Sequence, residues 1–566
     1  MVLKTREKRV LSLAGPIIAH ETLLRCVNCA TIQRSADLAA LVPTHCTIAY
    51  DVLVWVGQAI FLKHQTAAET AAQLARRNLH LSLSEIDYLA KKFILYLAIA
   101  HRRAIPRIQQ VMIQNGGYIL HLDGTCDQQS PMLMTGLDSI TEIILGNVKL
   151  ASEKADRIIP FLIRLKDAFG TPVAVVHDMG MGILRAVADV FPGVPDFICH
   201  FHFLRDLGND FFGEAYDTIR KRLQKHAVSS ALRALVRDLR EPLTAAETTS
   251  QTLAQAIDRS IATDHPELLA AACAYGLAQW ALEGKNVGDG YGFPFDRSHL
   301  AFAERILQLH EQLPEFKDIL LRDSWRDNLP LHKLFRALEP TAGDYTLRNA
   351  VQELRWRCDL FDQLRKAMRI APKGAAQDVK TQTLNQPIHT IRNRVLAFRQ
   401  RLDGNRRYAA DPGCRKMAAQ IDKYREKLFA DPIRVGTPNG SMLIQPQRTN
   451  NILEQFFRRI KRDYRRRTGT TTMERTIKAM LEQTPLVKNL ENPRYLAILL
   501  NGKKSLEELF ADIDAREVRV EMRAQTSPDR TLPGFNKLIS LPDLPALIIK
   551  LFIQSQHPKS NQILGS

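Results

Sequence analysis

Two short apolar runs in this chain each end in an aspartate, and this pattern constrains the fold more than any other feature. GGYILHLDGT ends its apolar run at Asp123, and PVAVVHDMGMG ends its run at Asp178. Runs rich in Val, Ile, Leu and Tyr that are bounded by Gly or Pro are typical of buried strands. An ionised carboxylate on such a run is costly to bury without a cation. The sequence therefore predicts a sheet whose strand ends carry functional acidic side chains.

A third acid, Glu454, opens a strongly basic amphipathic segment, RTNNILEQFFRRIKRDYRRRTG, which predicts a helix. Two stripes run along this helix at helical spacing. The apolar stripe comprises Leu453, Phe457, Ile460 and Tyr464, and the other comprises Glu454, Arg458, Lys461 and Arg465. Asn451-x-x-Glu454 also fits a capping box, in which Glu454 satisfies the first amides of its own helix. The aligned basic row favours the alternative, a metal ligand beside a phosphate track.

Three converging carboxylates suit hard divalent cations such as Mg²⁺ or Mn²⁺, which prefer oxygen ligands. Asp123, Asp178 and Glu454 can together hold two ions, one activating an attacking oxygen and one stabilising a leaving oxygen at phosphorus. The formal net charge of +18 over 566 residues makes a polyanion the natural partner. ATP is not expected, because neither a G-x-x-x-x-G-K-[ST] motif nor a strand followed by G-x-G-x-x-G is present.

The pattern between Gln114 and Gly208 predicts alternating elements. GGYILHLDGT is followed by a hairpin turning near Asp138, then a helix, the strand PVAVVHD, a second helix and a fifth strand in PDFICHFHFLRDLG. Three strands, a helix, a strand, a helix and a strand is the succession expected of a ribonuclease H-like fold, with Asp123 and Asp178 on adjacent central strands. Asp127 and Asp138 are interpreted as turn acids without a catalytic role.

These motifs resemble those of Mutator-like transposases and related bacterial insertion-sequence transposases. Besides HLDGT and VHDMG, the segment Cys199-His200-Phe201-His202 resembles the C-x-x-H signature that follows the second Asp in that family. TNNILEQFFRRIKR resembles the segment that carries the family's third carboxylate. The resemblance covers Gly116 to Gly208 and Arg448 to Asn489 well, and the remainder only by the order of its elements.

The resemblance implies a DDE transposase in which Asp123, Asp178 and Glu454 are catalytic and bind two Mg²⁺ or Mn²⁺ ions. It also implies cleavage of double-stranded DNA at terminal inverted repeats, strand transfer into target DNA by the freed 3′-hydroxyl, and a homo-oligomer on paired ends. Family members carry a helical insertion before the Glu helix, which the long, helix-rich interval between Asp178 and Glu454 would supply. The expected fold is thus an α/β ribonuclease H-like catalytic core interrupted by a large all-α insertion, preceded by a helical helix-turn-helix region.

Other residues are predicted to serve the site or the DNA. Cys199, His202 and Arg205 are expected to support the site. Cys199, His200 and His202 could ligate a soft metal, but three ligands within four residues would form an awkward tetrahedron. A basic run in the Glu454 helix is expected to contact the DNA backbone, which makes binding sensitive to salt. This run comprises Arg458, Arg459, Lys461, Arg462, Arg465, Arg466 and Arg467.

The N-terminal region is predicted to bind DNA. Cys26 and Cys29 have the spacing of half a zinc ribbon, so a structural Zn²⁺ is one interpretation and a degenerate knuckle is the other. TAAETAAQLARRNLHLSLSEIDYLAKKFILYLAIAHRR contains two helical stretches around a polar joint and resembles a helix-turn-helix, with Ser82 or Ser84 as N-cap of the second helix. An ordinary helical hairpin is the alternative.

The patterns divide the chain into six segments. They are a degenerate zinc-ribbon-like segment at 1–48, a helix-turn-helix-like region at 49–110, the first stretch of the ribonuclease H-like core at 111–208, an all-α insertion at 209–445, the second stretch of that core with the Glu helix at 446–490, and a C-terminal helical tail at 491–566.

A cytoplasmic, nucleoid-associated protein is expected. No stretch approaches the roughly 18 apolar residues of a spanning helix, the N-terminus lacks a signal-peptide core, and eight scattered cysteines fit reduced thiols. Two other functions remain open beside transposition. One is a catalytically retired, transposase-derived DNA-binding protein, and the other is a metal-dependent DNA nuclease without strand transfer.

Overall fold

The computed structural model describes residues 1–245, 266–312, 329–371, 387–524 and 541–556. The strands are β1 (Val2–Ser12), β2 (Gly15–Arg25), β3 (Ile32–Gln33), β4 (Ile119–Thr125), β5 (Met132–Asp138), β6 (Ile143–Leu150), β7 (Ala174–His177), β8 (Asp196–Ile198), β9 (Ile433–Thr437) and β10 (Gly440–Ile444). The helices are α1 (Ala36–Leu41), α2 (Tyr50–Phe61), α3 (Ala67–Ala75), α4 (Leu83–Gln114), α5 (Ala155–Phe169), α6 (Met181–Val190), α7 (His200–Lys225), α8 (Val228–Ala245), α9 (Pro266–Glu283), α10 (Ser298–Glu311), α11 (Leu329–Ala342), α12 (Tyr345–Ala367), α13 (Ile388–Gly404), α14 (Arg406–Ala410), α15 (Pro412–Leu428), α16 (Asn451–Thr468), α17 (Glu474–Ala479), α18 (Pro493–Leu500), α19 (Leu506–Ala511), α20 (Ala515–Ala524) and α21 (Leu544–Gln556). Short 3₁₀ helices span Gly284–Asn286 and Thr484–Glu491. The protein is therefore mixed α/β, as predicted.

Five strands form one mixed sheet in the order β6-β5-β4-β7-β8. The pairs β4/β5 and β5/β6 are antiparallel, whereas β4/β7 and β7/β8 are parallel. The order of elements along the chain is the predicted one: three strands, α5, a strand, α6 and a strand. Because β4 and β7 are parallel neighbours, their carboxyl ends meet at one edge of the sheet, where ligands of open α/β sheets bind.

The two acids assigned to turns have structural contacts. Asp138 accepts hydrogen bonds from the backbone amides of Ile119, Ile140 and Thr141, which closes the turn between β5 and β6. The Asp127 Oδ2 atom accepts a hydrogen bond of 2.8 Å from the backbone amide of Met473. These bonds use the carboxylates to fix loops.

One hydrophobic core contains the sheet together with helices from both ends of the chain. On α4, Phe93 and Tyr96 pack against Phe510 of α19, with ring centroids 5.7 and 5.0 Å apart. His101 of α4 contacts the Tyr495 hydroxyl of α18 at 2.9 Å and the Leu145 carbonyl of β6 at 3.1 Å. The predicted segment 49–110 and the described residues 491–524 of the predicted C-terminal tail therefore contribute to the sheet core. Sequence patterns along the chain do not contain this information, because it depends on contacts between distant residues.

The predicted helix-turn-helix region contains three helices, α2 to α4. Ser82 is the N-cap of α4, and its side chain and that of Glu85 form a capping box, which confirms one of the two predicted caps. The joint from 76 to 82 is longer than the three- or four-residue turn of a typical DNA-binding motif. After an exposed first turn, α4 is buried from Lys92 to His101, and its later turns again carry exposed side chains such as Arg102 and Gln110.

The interval between β8 and β9 forms a second, helical core of side chains from Ile198 to Phe429. The prediction of an all-α insertion at 209–445 is wrong for its last residues, where β9 and β10 pair as a hairpin. The flanking β-branched residues and the Pro438-Asn439 turn before Gly440 are a hairpin signal, and Gly440 has a φ of +130°. Val435 of this hairpin packs with residues of β4 and β7, so the hairpin covers one face of the sheet.

The N-terminal segment is a hairpin, β1 and β2, to which the short β3 is added. Two stretches of the predicted C-terminal tail, 525–540 and 557–566, lie outside the described residues. Within the residues that the structure describes, no helix is both long enough and apolar enough to cross a bilayer.

Candidate active site

Asp123 and Asp178 reach the same edge of the sheet from adjacent strands. Asp123 lies within β4, opposite Thr135 of β5, and Asp178 directly follows the last residue of β7. The Asp123 Oδ1 atom accepts a hydrogen bond from the Gly124 amide at 2.8 Å, and the Asp178 Oδ1 atom accepts one from the Gly180 amide at 3.0 Å. Each carboxylate is thus held by a backbone amide that follows it closely along the chain.

The VHDMGMG motif has a glycine at position 182 because α6 packs closely against a neighbouring loop. Gly182, in the first turn of α6, lies so close to the loop after β6 that an added Cβ atom would stand 1.7 Å from the Glu153 carbonyl oxygen. Any larger residue would push α6 away from this loop. The glycine therefore keeps α6 close to the loop between β6 and α5 and fixes the turn that follows Asp178.

Glu454 comes to this edge from the first turn of α16. The helix begins at Asn451 with Asn450 as N-cap and without a side-chain cap hydrogen bond, so the Asn451-x-x-Glu454 capping box does not form. The apolar stripe lies inward as predicted, with Leu453 and Phe457 buried. The Glu454 side chain is 24% exposed, and its Oε1 atom lies 4.0 Å from the Nε2 atom of His202.

Asn450 fixes the start of α16 against the sheet. Its Oδ1 atom is 2.9 Å from the Nδ1 atom of His121, and its Nδ2 atom donates to the Leu122 carbonyl at 2.8 Å. His121 and Asp123 share one face of β4, because alternate residues of a strand point the same way. The backbone amide of Asn450 donates to the Cys199 sulfur at 3.2 Å. This buried residue was missed at the sequence level, although it lies just before the Glu454 helix.

Electrostatics link the three acids. Burial raises the pKa of Asp123 well above its ordinary value, and the negative charges of Asp178 and Glu454 raise this pKa further. The Gly124 amide and the Arg205 guanidinium act in the opposite direction. In the described residues, the ligand atoms of these three carboxylates do not all lie within 4.8 Å of one another. This separation is too large for all three to bind a single ion. It is compatible with two ions, which stand about 3.5–4 Å apart in a two-metal site.

Two further acids lie around Asp178. Desolvation and the Asp178 charge raise the pKa of Asp206 and of Glu153. Asp206 follows His202 by one helical turn on α7, so the sequence spacing indicates that both share one helix face. Glu153 precedes α5, and no sequence pattern indicates that it lies near Asp178. Arg205 lies over the Phe201 ring at 4.7 Å, and its positive charge acts to lower the pKa of Asp123.

Cys199 and His202 lie beside Glu454 at the start of α7. Cys199 is the N-cap residue of this helix and is fully buried, whereas His202 is 16% exposed. A ligand atom of each of the three residues lies within 4.8 Å of the others, the one such His, Cys and acid group of the described residues. The predicted supporting pair is therefore next to the third carboxylate.

The basic run of α16 presents most of its side chains to solvent. Arg458, Arg459, Arg462, Arg465 and Arg466 are exposed, and Lys461 is half-buried. Arg467 differs from the prediction, because its guanidinium lies 5.4 Å from the Tyr464 ring and is partly buried toward the helices of the N-terminal half. The apolar stripe that anchors α16 draws Arg467 inward at the helix end.

Cys26 and Cys29 are exposed in the turn between β2 and β3. The Cys29 thiol is hydrogen-bonded to Thr31 Oγ1 at 3.1 Å, and hydrogen bonds from Thr31 lower the pKa of Cys29 to about 7. No third His, Cys or acidic ligand joins this pair among the residues that the structure describes. The zinc hypothesis for this turn remains a prediction that rests on Cys26 and Cys29 alone.

The site thus combines three acids from β4, the end of β7 and α16 with a basic helix face, a buried cysteine and a partly exposed histidine. Neither the protein-family models nor the curated proteins with which the chain was compared provide a match.

Proposed function

We propose that this chain is a DNA transposase of the DDE type. The observation that carries the proposal is the convergence of Asp123, Asp178 and Glu454, whose charges interact although Glu454 is far from the two aspartates in sequence. An acidic cluster with an exposed basic helix face beside it suits phosphodiester chemistry. The reaction proposed is metal-dependent cleavage at element ends followed by strand transfer into target DNA.

We also propose that the sheet belongs to the ribonuclease H-like class. The order β6-β5-β4-β7-β8 and the antiparallel-then-parallel pairing support this assignment. In this arrangement β4 and β7, the first and fourth strands of this sheet along the chain, are neighbours, so Asp123 and Asp178 share one edge. The helical unit between β8 and α16 then corresponds to the insertion that the resemblance implies.

The donor set fits divalent cations of the Mg²⁺ or Mn²⁺ kind, because it consists of carboxylates whose mutual repulsion a cation would relieve. Asp123, Asp178 and Glu454 would hold the ions. Bound ions would activate the attacking oxygen and stabilise the leaving oxygen. Asp123 is kept in place by Gly124, and the position of Glu454 is fixed through Asn450.

The remaining side chains would position DNA. The guanidinium groups of Arg458, Arg462 and Arg465 are proposed to contact backbone phosphates, which places the scissile bond near Glu454 at the start of the same helix. The exposed first turn of α4 and the N-terminal hairpin are proposed to recognise the terminal inverted repeats, with a homo-oligomer holding paired ends. Such DNA would be met in the cytoplasm, at the nucleoid.

The experiment compares purified protein with its Asp178→Asn variant on the DNA ends that flank its own gene, with a target plasmid and Mg²⁺. Wild-type protein is expected to produce cleaved and joined strands, and Asp178→Asn neither. Asp189→Asn is the matched control, because Asp189 is an exposed acid on the same core whose side chain is 51% exposed. It should retain activity.

Other outcomes separate the alternatives. Specific binding of the ends without cleavage would contradict transposition and favour the catalytically retired DNA-binding protein. Nicked products that are never joined would favour the metal-dependent nuclease. Equal activity of wild-type and Asp178→Asn protein would show that the acidic trio is not the catalytic site.

A further inference from the structure

We propose that Cys199, His202 and Glu454 form a soft-metal site that binds Zn²⁺ and, when occupied, removes Glu454 from the carboxylate trio. The three side chains come from two helices, α7 and α16, and their ligand atoms all lie within 4.8 Å of one another. The sequence placed only the first two together. Folding supplies the third ligand from a segment far along the chain.

Backbone amides face the buried Cys199 sulfur and partly offset the cost that burial imposes on its thiolate. Cys199 is the N-cap residue of α7, where the free amides of a helix start and its dipole stabilise negative charge. Three backbone amides, of Asn450, His202 and Phe201, interact with this sulfur, and the Asn450 amide does so at 3.2 Å. Burial raises the pKa of the thiol to about 12, so metal binding would release its proton to solvent.

His202 is oriented toward the same point. Its Nε2 atom lies 4.0 Å from the Glu454 Oε1 atom, and its buried Nδ1 atom has no hydrogen-bond partner in the described structure. Ligand atoms around a tetrahedral zinc stand roughly 3.3–3.6 Å apart, given bonds of about 2.0–2.3 Å. Small rotations of His202 and Glu454 would therefore close the shell. Asp206, one turn further along α7, interacts electrostatically with His202 and can orient the ring.

The donor types distinguish this site from the carboxylate trio. Thiolate and imidazole select Zn²⁺ and similar ions, whereas Mg²⁺ takes oxygen ligands. Three protein ligands leave a fourth position for water, on the open side of His202 and Glu454. Because Glu454 is common to both sets, soft and hard ions would compete for it. The consequence for activity rests on the proposed function, but the metal site itself does not.

Cobalt provides a direct probe, because Co²⁺ bound to a thiolate gives charge-transfer absorption. The titration uses full-length protein carrying Cys26→Ser and Cys29→Ser, which removes the N-terminal pair. We expect one Co²⁺ per chain with a thiolate band that Zn²⁺ displaces. In this background Cys199→Ser should abolish the band, and His202→Ala and Glu454→Gln should each weaken binding by more than about tenfold. Cys273→Ser, which replaces a partly buried cysteine of α9 outside the three ligands, should leave the thiolate band and the Co²⁺ affinity unchanged.

A thiolate band that persists in Cys199→Ser would overturn the site, as would an unchanged Co²⁺ affinity in Glu454→Gln. The second variant matters because Cys199 is buried and its replacement can unfold α7, whereas Glu454 is partly exposed. Circular dichroism of each variant identifies loss of fold.

Competition for Glu454 is measured by Mn²⁺ binding without DNA. Zinc-loaded protein should bind Mn²⁺ at least about tenfold more weakly than zinc-free protein, and this difference should vanish in Cys199→Ser. Equal Mn²⁺ affinity with and without zinc would overturn the proposed removal of Glu454. A protein that binds Co²⁺ as expected but never cleaves DNA would contradict the transposase proposal and leave the soft-metal site standing.

Discussion

The sheet core and the helical core are assembled from the chain in opposite ways. The sheet core contains side chains from Tyr50 to Val518, so it closes only when both ends of the chain are present. The helical core uses residues of one interval, from Ile198 to Phe429. Contacts of long sequence separation form late and slowly, whereas a continuous helical interval can fold on local contacts.

The same division applies to the candidate site. All three acids of the trio belong to elements of the sheet core, namely β4, the end of β7 and α16. The helical unit begins with α7, whose first turns bring Cys199, His202 and Arg205 to the trio. The helical unit is thus expected to tune the site, and the sheet core to carry the chemistry.

The largest expected effect is on the rate of DNA cleavage, and it tests whether the acids of the sheet core carry the chemistry. Glu454→Gln should lower DNA cleavage on the order of 100- to 1,000-fold, because it removes a charge that holds the metal ions at the developing negative charge. Asp206→Asn, on the helical side, should cost only about tenfold. Both are measured as single-turnover cleavage rates in Mg²⁺. Equal losses would show that the helical unit supplies chemistry.

Substitutions in the two cores should separate them as folding units. Leu354→Ala in the helical core and Leu120→Ala in the sheet core each remove a fully buried side chain and should lower the free energy of unfolding by about 2–5 kcal/mol. In the Leu354→Ala variant, amide hydrogen exchange should rise only in the helical interval. For Leu120→Ala it should rise in the sheet and also at 495–518. Uniform changes in both variants would indicate one cooperative unit.

A smaller effect concerns the stability cost of the site. Because the pKa of Asp123 is raised above its ordinary value of 3.8, the folded state loses stability as the pH rises from that value through the folded-state pKa. Asp123→Asn should therefore raise the melting temperature at about pH 7.5 without divalent ions, and this gain should shrink as the pH is lowered toward pH 4. Mg²⁺ should stabilise wild-type protein and not the variant. A lower melting temperature for Asp123→Asn at neutral pH would contradict the raised pKa.

The smallest expected effect is on DNA binding, and it compares one exposed arginine of α16 with one of the helical unit. Arg458→Ala should weaken DNA binding modestly and reduce the salt slope by about one, the amount expected for one phosphate contact. Arg237→Ala is the matched control, because Arg237 is a 79% exposed arginine on the helical unit. Fluorescence anisotropy at several salt concentrations measures both. Identical slopes for the two variants would contradict a role for the α16 face.

Much of the local structure is predictable because its causes are local. The strand runs that end at Asp123 and Asp178, the cap at Ser82 and the apolar stripe of α16 follow from short-range patterns, and the structure contains all of them. The β9–β10 hairpin was missed although it had a turn signal, because the surrounding pattern was helical. The capping-box alternative for Glu454 failed because Asn451 is already helical and the N-cap is Asn450, whose side chain contacts His121 and the Leu122 carbonyl of β4.

The sequence by itself determined the residue types and the periodicities: two acids on strand ends, a third on a basic helix, and a Cys-His pair on a helix start. Only the tertiary structure decided which of these meet. Contacts such as Asn450 with Cys199 and His202 with Glu454 join segments that are far apart in sequence. Periodicity reports which face of an element is buried, but partner choice depends on packing across the whole chain. For that reason the soft-metal group was visible only in the folded protein.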